Sequence, residues 1–535
     1  MNKESTSANL PICQIRDLLD LRASETPDSD FAMFESGGKW TYSEAHAEVR
    51  TCAASLQSLG VLPGQLVIVW LGNSSNALRT LLAINYLGAV AVPINTSYRG
   101  TLLEHVLSNT SASLMICDGR LLDRLAGIQL AHLHRVVVMG PERINVSGVQ
   151  LLGEEVLYAE EELGPSSAGP FPWDEAVVIY TSGTTGPSKG VLTSYLHLWH
   201  TATAFKHLDE TDRSLVSLPL YHAAGVLGYY CALLTGGSLV LADSFSVSRF
   251  WQTVREFEVT TTGLLGVMLP FILKQEVTSA DRDHSLRSVL VAPLDDGAAA
   301  FAERFGVDIY TEYNMTELCM PLFSDANPTA PGTCGRKREG VELRIVNDFD
   351  IEVPIGSVGE LIVRAHQPWA LSHGYLKNYE ATAKTWRNGW FHTGDAFRRD
   401  EEGNYFFVDR LKDALRRRGE NISSFEVESA ILAHPAVREV AVVGVPSEVS
   451  EDEVLAVLAL APNQELTPEQ LIEYLKPHLA DFMIPRFLRF MRELPKTPTH
   501  KVLKHELRGQ GVTADTWDRE GSGIVIQRQR LEIRP

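Results

Sequence analysis

Short apolar runs alternate with longer segments of helical periodicity through most of the chain. The run GQLVIVWLG begins at Gly64; NALRTLLAINYLGA follows it, with apolar residues every three or four positions, and then VAVPIN. SLMICD, RVVVMG and VVIY continue the series. Apolar strands of this length separated by helices are typical of parallel βαβ units whose sheet is covered on both faces. The pattern therefore predicts an α/β fold with doubly wound βαβ sheets.

Two further patterns follow towards the C-terminus. VELRIVNDFD and GSVGELIVR alternate polar and apolar residues between turns, which predicts a β-rich subdomain near 340–400. Beyond the charged segment VDRLKDALRRRGENIS, the pattern changes to helix, strand, strand, helix and strand. We therefore expect a large N-terminal domain over 1–409, a hinge over 410–412, and a small, mobile α+β C-terminal domain over 413–535.

Composition and charge narrow the classes of function. The 535 residues carry a net charge of −19, whereas a nucleic-acid partner requires a basic face. The six cysteines form no CxxC pair, which favours reduced thiols. The N-terminus MNKESTSANLPICQ lacks the apolar centre of a signal peptide, and no apolar run reaches the ~18 residues that a membrane span requires. We expect a soluble, cytoplasmic protein with neither a nucleic-acid partner nor a membrane span.

The segment YTSGTTGPSKGV, from Tyr180 to Val191, follows an apolar strand directly. Glycines let backbone N–H groups converge on an anion, hydroxyls add donors, and Lys189 adds a positive charge, so the loop suits a polyphosphate. It lacks the Gly-Lys-Ser/Thr of a Walker loop, and by composition alone a flexible connection fits equally. The candidate phosphate-binding residues are Thr181, Ser182, Gly183, Thr184, Thr185, Gly186 and Lys189.

The same string resembles the signature loop of the adenylate-forming superfamily, which includes acyl-CoA synthetases, nonribosomal-peptide adenylation domains and firefly-type luciferases. The resemblance extends from about Thr41 to Arg508 through LPLYHAAG, TEYNMTE, WFHTGD, VDRLKDALRRRGENIS and LPKTPTHKVLK, in family order. The NMTE string, RRRGENISSFEVE and TWDREGSGI make the chain most similar to the carnitine/crotonobetaine-CoA-ligase-like branch. Each motif alone has an ordinary structural explanation, whereas the ordered set is specific.

The resemblance implies that ATP, Mg²⁺, coenzyme A and a small carboxylic acid bind to this chain. Glu317 would hold Mg²⁺, with Thr184 as a second candidate ligand, and Thr316 would bond a phosphate oxygen. Tyr313 would lie near the adenine. The residues assigned to the nucleotide site by the same resemblance also include Asn314, Met315, Asp395 and Arg410, the last two at the ribose.

The remaining implied roles concern the acid and the second half of the reaction. His222 would lie at the acyl pocket, and Lys501 would bridge the substrate carboxylate and the α-phosphate. Lys412 would be the pivot between the domains, and Gly419 would lie beside the coenzyme A tunnel, where a residue without a side chain fits.

The chain departs from the family pattern at a few positions. Asn314 replaces a usual glycine, Leu290–Val291 replace a common Gly-Gly, Tyr195 replaces a frequent histidine, and His500 replaces the glycine before Lys501. These changes leave the charges that adenylation needs, but they put the acid specificity in doubt. His222, Ala223, Gly225, Asn314 and Met315 are expected to line the acid site, and they favour a short or medium, polar acid.

The expected function is therefore AMP-forming acyl-CoA synthesis by a monomer or homodimer. One alternative keeps adenylation but transfers the acyl group to another acceptor, such as an amine, a carrier-protein thiol or nitrite. A second alternative is a non-catalytic nucleotide-binding protein; retention of Lys501, Glu317 and Asp395 argues against it.

Overall fold

A computed structural model describes residues 10–141, 145–159, 162–164, 169–181, 188–294, 297–411, 415–417, 420–446, 452–496 and 502–524. The α-helices are α1 (Ile15–Glu25), α2 (Tyr42–Ser58), α3 (Ser75–Tyr86), α4 (Gly100–Thr110), α5 (Tyr195–Ala202), α6 (Ala223–Thr235), α7 (Phe250–Glu256), α8 (Leu269–Leu273), α9 (Gly297–Phe305), α10 (Tyr379–Thr385), α11 (Ser424–Leu432), α12 (Pro468–Leu475) and α13 (Lys504–Gln510). Short 3₁₀ helices cover Gly119–Leu125, Glu154–Leu157 and Gly266–Met268.

The strands of the first half are β1 (Asp30–Phe34), β2 (Lys39–Thr41), β3 (Leu66–Trp70), β4 (Val90–Pro93), β5 (Leu114–Asp118), β6 (Arg135–Met139), β7 (Gln150–Gly153), β8 (Glu175–Thr181), β9 (Lys189–Ser194), β10 (Arg213–Val216), β11 (Ser238–Leu241), β12 (Thr261–Leu265), β13 (Ser288–Ala292) and β14 (Asp308–Tyr310). The strands of the second half are β15 (Glu312–Tyr313), β16 (Leu322–Phe323), β17 (Thr333–Lys337), β18 (Val341–Val346), β19 (Gly359–Ala365), β20 (Trp386–Arg387), β21 (Trp390–Arg399), β22 (Asn404–Arg410), β23 (Leu415–Arg417), β24 (Glu420–Ile422), β25 (Val437–Pro446), β26 (Asp452–Leu460), β27 (Phe487–Phe490) and β28 (Trp517–Asp518).

The predicted doubly wound sheets are confirmed. One seven-stranded sheet has the order β7-β6-β5-β3-β4-β8-β9, parallel except for the β8–β9 pair. Alternate residues of β3 enter different cores: Val67 and Val69 lie in one cluster, and Ile68 and Trp70 in another. Because side chains alternate across a strand, this division shows that both faces of the sheet are covered.

A second seven-stranded sheet has the order β14-β13-β12-β10-β11-β1-β2 and is parallel except at β1–β2. It too separates two cores, since Leu239 and Val240, neighbours on β11, belong to different clusters. Ligands of such sheets bind at the carboxyl ends of the strands. The two sheets therefore present two candidate edges for a site.

The predicted β-rich subdomain is larger than the pattern indicated. An eight-stranded antiparallel sheet has the order β15-β16-β17-β22-β21-β19-β18, with β20 paired to β21, and runs from Glu312 to Arg410 rather than 340–400. The early strands β15 and β16 contain two residues each. A two-residue strand is too short to show alternation, which is why the sequence pattern did not predict them.

The C-terminal region has the predicted α+β character. β25, β26, β27 and β28 form one sheet, and its core includes Leu415, Val427 and Ile431. Arg410 still belongs to the preceding sheet, so the change between the two cores falls between residues 410 and 415. The Asp409 carboxylate joins them by accepting a hydrogen bond from the Ser424 N–H at 2.6 Å. The hinge role of Lys412 remains a prediction, and Lys412 lies outside the described residues.

All six cysteines are buried and free. Burial raises the pKa of every thiol above its ordinary value, so none is a ready nucleophile at neutral pH. In the described part of the chain, every helix is too short or too polar to cross a membrane.

Candidate active site

The two strands that flank the glycine-hydroxyl segment, β8 and β9, form an antiparallel pair at the edge of a sheet. β8 ends at Thr181, and β9 begins at Lys189, its partner across the pair. Gly190 must be glycine, since a Cβ there would lie 2.8 Å from Val178 Cγ1. β8 is parallel to β4, so Thr181 lies at a carboxyl end of the sheet, where ligands of such sheets bind. The predicted phosphate-binding residues Ser182, Gly183, Thr184, Thr185 and Gly186 lie outside the described residues.

Lys189, Tyr375 and Glu317 form a polar cluster at the start of β9. The segment containing Tyr375 pairs with β9: the Leu376 N–H donates to the Gly190 carbonyl at 2.8 Å. This pairing places Lys189 Nζ 4.8 Å from the centre of the Tyr375 ring. The Tyr375 hydroxyl donates to Glu317 Oε1 at 2.8 Å. The cluster therefore combines one cation, one hydroxyl and one carboxylate, and its cation, Lys189, belongs to the predicted phosphate-binding set.

Burial dominates the electrostatics of Glu317, whose exposed fraction is 6%. Burial raises its pKa, against the hydrogen bond from Tyr375 and the charge of Lys189, which lower it. A hard divalent cation prefers carboxylate oxygens, and Mg²⁺ commonly takes one or two of them together with substrate phosphates. The described residues contain no cluster of three or more metal-ligating side chains. Glu317 thus fits a cation that takes its other ligands from phosphate and water.

Asp395 and Tyr313 form a second polar centre. The Tyr313 hydroxyl donates to Asp395 Oδ2 at 2.7 Å. Arg410 is paired with Asp395 across β21 and β22, and its Nε lies 3.9 Å from Asp395 Oδ1. The negative charge of Asp395 raises the pKa of Glu317, so the two centres are electrically coupled. A carboxylate that these contacts hold in place can accept hydrogen bonds from the two hydroxyls of a ribose.

Tyr313 has a structural role in addition to its predicted position near the adenine. Its side chain is buried, and its ring packs edge-on against the Phe397 ring, with the ring centres 4.7 Å apart. Burial and the neighbouring Asp395 raise its pKa well above the ordinary value, so the phenol stays protonated and donates. Tyr313 therefore orients Asp395.

A cavity of about 360 Å³ is lined by Glu312 and Thr316, the chain neighbours of Tyr313 and Glu317. Of the residues predicted to contact the acid, His222, Ala223, Asn314 and Met315 line it, together with Thr316. Gly225 does not; a Cβ there would lie 2.2 Å from the Pro219 carbonyl oxygen, so it serves the close approach of two segments. Burial lowers the pKa of His222, which keeps its ring neutral at neutral pH.

The departures from the family pattern fall into different places. Asn314 lines the cavity, and its Oδ1 accepts a hydrogen bond from the Met320 N–H at 2.8 Å. Leu290 also lines the cavity, whereas Val291 is buried in a hydrophobic core. Tyr195 is fully buried in another core. His500, Lys501 and Gly419 lie outside the described residues.

Two residues at the site, Tyr375 and Glu312, have no role predicted from the sequence. Tyr375 follows Gly374, whose φ of +103° and crowding by Thr382 require glycine, but no periodic pattern marked this loop. Glu312 was part of the TEYNMTE motif, yet only its neighbours received roles. It lines the cavity, and its Oε2 is buried with no hydrogen-bond partner in the described structure.

Glu312 should leave a signature in the pH dependence of stability. Burial raises its pKa to about 8 in the folded protein, from an ordinary value near 4.5. Because the folded state then binds more protons than the unfolded state, this group lowers the free energy of unfolding as the pH rises towards 8. Glu312→Gln should therefore gain stability relative to the parent between pH 6 and 8, by on the order of a few kcal/mol.

Thermal unfolding of both ligand-free proteins between pH 6 and 8.5 tests this expectation. Glu342→Gln is the matched control, because Glu342 pairs with Arg364 at 2.7 Å and its pKa is lowered. The difference between Glu342→Gln and the parent should not grow over this range. A constant difference for Glu312→Gln would contradict the burial of an unpaired carboxylate.

Comparison with known proteins agrees with this geometry. A family model described as AMP-binding enzyme matches residues 19–376, and one described as AMP-binding enzyme C-terminal domain matches 426–501. The chain is 29% identical over 525 residues to a crotonobetaine/carnitine–CoA ligase of Salmonella arizonae, covering 92% of this chain and 98% of the relative.

Solved structures give the same result. The O-succinylbenzoate coenzyme A synthetase of Bacillus subtilis, in complex with ATP and magnesium ion, superposes with a TM-score of 0.80 and 25% identity, over 92% of this chain and 98% of the other. An anthranilate CoA ligase in complex with anthranoyl-AMP gives a TM-score of 0.83 and 25% identity, over 94% and 98%. The protein is an adenylate-forming enzyme. It belongs to the AMP-binding enzyme family and carries that family's C-terminal domain.

Proposed function

We propose that this chain is an ATP-dependent acid–CoA ligase that adenylates a carboxylic acid and transfers the acyl group to coenzyme A. The observation that carries the proposal is the cluster of Lys189, Tyr375 and Glu317, coupled to Asp395, together with a cavity of about 360 Å³ whose lining includes Thr316, the chain neighbour of Glu317. A nucleotide with its phosphates at Lys189 and its ribose at Asp395 would present its α-phosphate to an acid held in that cavity. The family match and the named CoA ligases support the same reaction.

The first half-reaction makes the acid electrophilic. A carboxylate oxygen attacks the α-phosphorus of ATP, the bond to the β-phosphate oxygen breaks, and pyrophosphate leaves. Negative charge is redistributed over the phosphates, so fixed donors and cations lower the barrier. We assign this task to Lys189, to the loop that contains Thr184, and to Lys501. A bound Mg²⁺ would neutralise phosphate charge, and Glu317 would hold it.

The second half-reaction forms the thioester. The sulfur of coenzyme A attacks the acyl carbon, the bond to the AMP oxygen breaks, and AMP leaves with the electron pair. We infer that the C-terminal domain turns about Lys412 between the two steps, which withdraws Lys501 and brings Gly419 to the coenzyme A path. Such alternation keeps water away from the reactive acyl-adenylate.

The acid has to be determined from this chain's own residues. The relatives are named for unlike acids: crotonobetaine or carnitine, O-succinylbenzoate and anthranilate. A common scaffold with different pockets explains that range, because the pocket and not the fold selects the substrate.

Pyrophosphate release from ATP across a panel of carboxylic acids tests the function, each acid with and without coenzyme A. We expect acid-dependent release that turns over only with coenzyme A and yields AMP and the thioester. Release that is indifferent to coenzyme A would indicate another acceptor. Absence of pyrophosphate release with every acid would contradict the proposed activity.

A further inference from the structure

The turn that begins at Glu317 is buried and is held by distant segments of the chain. Residues 317–320 connect β15 to β16 and belong to neither a helix nor a strand. Leu318, Cys319 and Met320 are at most 2% exposed, so their backbone carbonyls need protein partners. All four carbonyls of the turn have one. The carbonyl of Glu317 itself accepts a hydrogen bond from the Ser372 N–H at 3.0 Å.

His197, on α5, is the partner of the second carbonyl. Its Nε2 lies 2.6 Å from the Leu318 carbonyl oxygen. Burial lowers the pKa of His197 to about 4, so the ring is neutral at neutral pH, and its single proton has to be on Nε2 for this hydrogen bond. Nδ1 is buried without a hydrogen-bond partner among the described residues. Because a buried, unpaired nitrogen is costly, the benefit of a histidine at this position is its donation to Leu318.

Arg338, which follows β17, is the partner of the last two carbonyls. Its Nη1 donates to the Cys319 carbonyl at 2.8 Å and to the Met320 carbonyl at 3.0 Å. Its Nη2 donates to the His200 carbonyl at 3.0 Å and to Thr203 Oγ1 at 3.1 Å. The planar guanidinium therefore joins the turn to the C-terminal end of α5, the same helix that supplies the histidine donor.

Asn314 fixes the last residue of the turn through its N–H group. Its Oδ1 accepts a hydrogen bond from the Met320 N–H at 2.8 Å. Met320 has a φ of +54°, a left-handed conformation that residues with a side chain seldom adopt. Such a conformation persists where the surrounding contacts determine it. Here Asn314 binds the N–H and Arg338 binds the carbonyl of the same residue.

These contacts reach the carboxylate of Glu317 through the backbone. The Tyr375 hydroxyl holds the side chain directly, whereas the turn holds the main chain from which that side chain projects. Mg²⁺ requires a nearly ideal octahedral arrangement of its ligands. The groups behind a ligand orient it, so their loss weakens metal binding although they do not touch the metal.

We propose that His197, Asn314 and Arg338 are positioning residues for adenylation: they fix the turn that begins at Glu317 and thereby hold its carboxylate where a phosphate-bound Mg²⁺ needs it. This inference rests on the proposed ligase function, in which Glu317 holds Mg²⁺. The three residues act through Glu317 and not on the reacting atoms.

A pair of substitutions at His197 provides the test. His197→Gln keeps an N–H donor at the distance of Nε2, whereas His197→Leu removes the donor. Each is made alone and together with Glu317→Gln. Equilibrium binding of ATP is measured with Mg²⁺ and with EDTA, which gives the gain in affinity that the cation provides. Pyrophosphate release at varied Mg²⁺ and thioester formation from supplied acyl-AMP are measured alongside.

We expect His197→Leu to reduce the gain in ATP affinity from Mg²⁺ on the order of 10-fold, the lower end of the range for contacts behind a metal ligand. His197→Gln should retain most of that gain. In the Glu317→Gln background, His197→Leu should have little further effect, because the carboxylate that it positions is absent. Thioester formation, which uses no ATP, should fall much less than adenylation. The control is His366→Leu, at a histidine whose side chain is 61% exposed, and it should behave like the parent.

A second variant tests the same turn without a change in the buried face of α5. Asn314→Ala removes the acceptor of the Met320 N–H, and it should lower the gain from Mg²⁺ in the same direction. This measurement decides the question if His197→Leu fails to fold.

The outcomes separate this inference from the ligase function. Equal losses in His197→Gln and His197→Leu, or a full further loss in the Glu317→Gln background, would overturn the positioning role. So would an unchanged gain from Mg²⁺ in Asn314→Ala. In each case, acid-dependent pyrophosphate release by the parent would leave the ligase function intact. The expected binding pattern in a parent that releases no pyrophosphate with any acid would support the positioning role and contradict the ligase function.

Discussion

Lys501→Ala should suppress adenylation about 100- to 1,000-fold, the scale measured for removal of one transition-state donor. It should leave thioester formation from supplied acyl-AMP nearly unchanged. The reason is the order of the chemistry: Lys501 is assigned to the charge that develops on the α-phosphate during adenylation, and we infer that the C-terminal domain withdraws it before the thioester step. Pyrophosphate release and single-turnover thioester formation, measured separately, give the two rates.

Two further variants are compared with Lys501→Ala in the same two assays. Lys496→Ala removes a nearby lysine whose Nζ pairs with Glu439 at 2.8 Å, and it should leave adenylation intact. Gly419→Leu should slow the thioester step more than the adenylation step, since a side chain would enter the coenzyme A path. Equal loss of both half-reactions in Lys501→Ala would argue against two alternating arrangements of the C-terminal domain.

Glu317→Gln should reduce adenylation about 100-fold or more and weaken the binding of MgATP. The amide keeps the size of the side chain and the hydrogen bond from the Tyr375 hydroxyl, while it removes the charge that a divalent cation requires. Initial rates at varied ATP and Mg²⁺, together with nucleotide binding, measure the effect. Glu342→Gln serves again as the control, at a partly exposed acid paired with Arg364. Unchanged Mg²⁺ dependence would refute the assignment of Glu317 to the cation.

The pH dependence of adenylation is a second, independent test of the role of Glu317. Burial raises the pKa of Glu317, and the hydrogen bond from Tyr375 lowers it. Adenylation should therefore rise with pH as Glu317 loses its proton. In Tyr375→Phe the lowering contribution is lost, so the acid limb should move to higher pH. A shift to lower pH would be incompatible with this arrangement.

The local pattern of apolar and polar residues was sufficient to predict the layers of the fold. The apolar run around β3 and the helical periodicity of α3 predicted covered parallel sheets, because burial on both faces leaves an uninterrupted apolar strand. The same reasoning found the β-rich and C-terminal regions. It missed the start of the antiparallel sheet at β15 and β16, whose short strands are fixed by their neighbours.

The sequence by itself determined the family, the ATP-site motifs and the candidate roles of Lys189, Glu317 and Asp395, because these depend on residue types at fixed positions within short segments. Only the tertiary structure decided that Tyr375, 58 positions from Glu317, donates to its carboxylate. It likewise decided that Glu312 lines the cavity with its Oε2 buried and without a hydrogen-bond partner in the described structure. The physical reason is that burial and charge pairing depend on which distant segments meet, and strand pairing, not local pattern, brings them together.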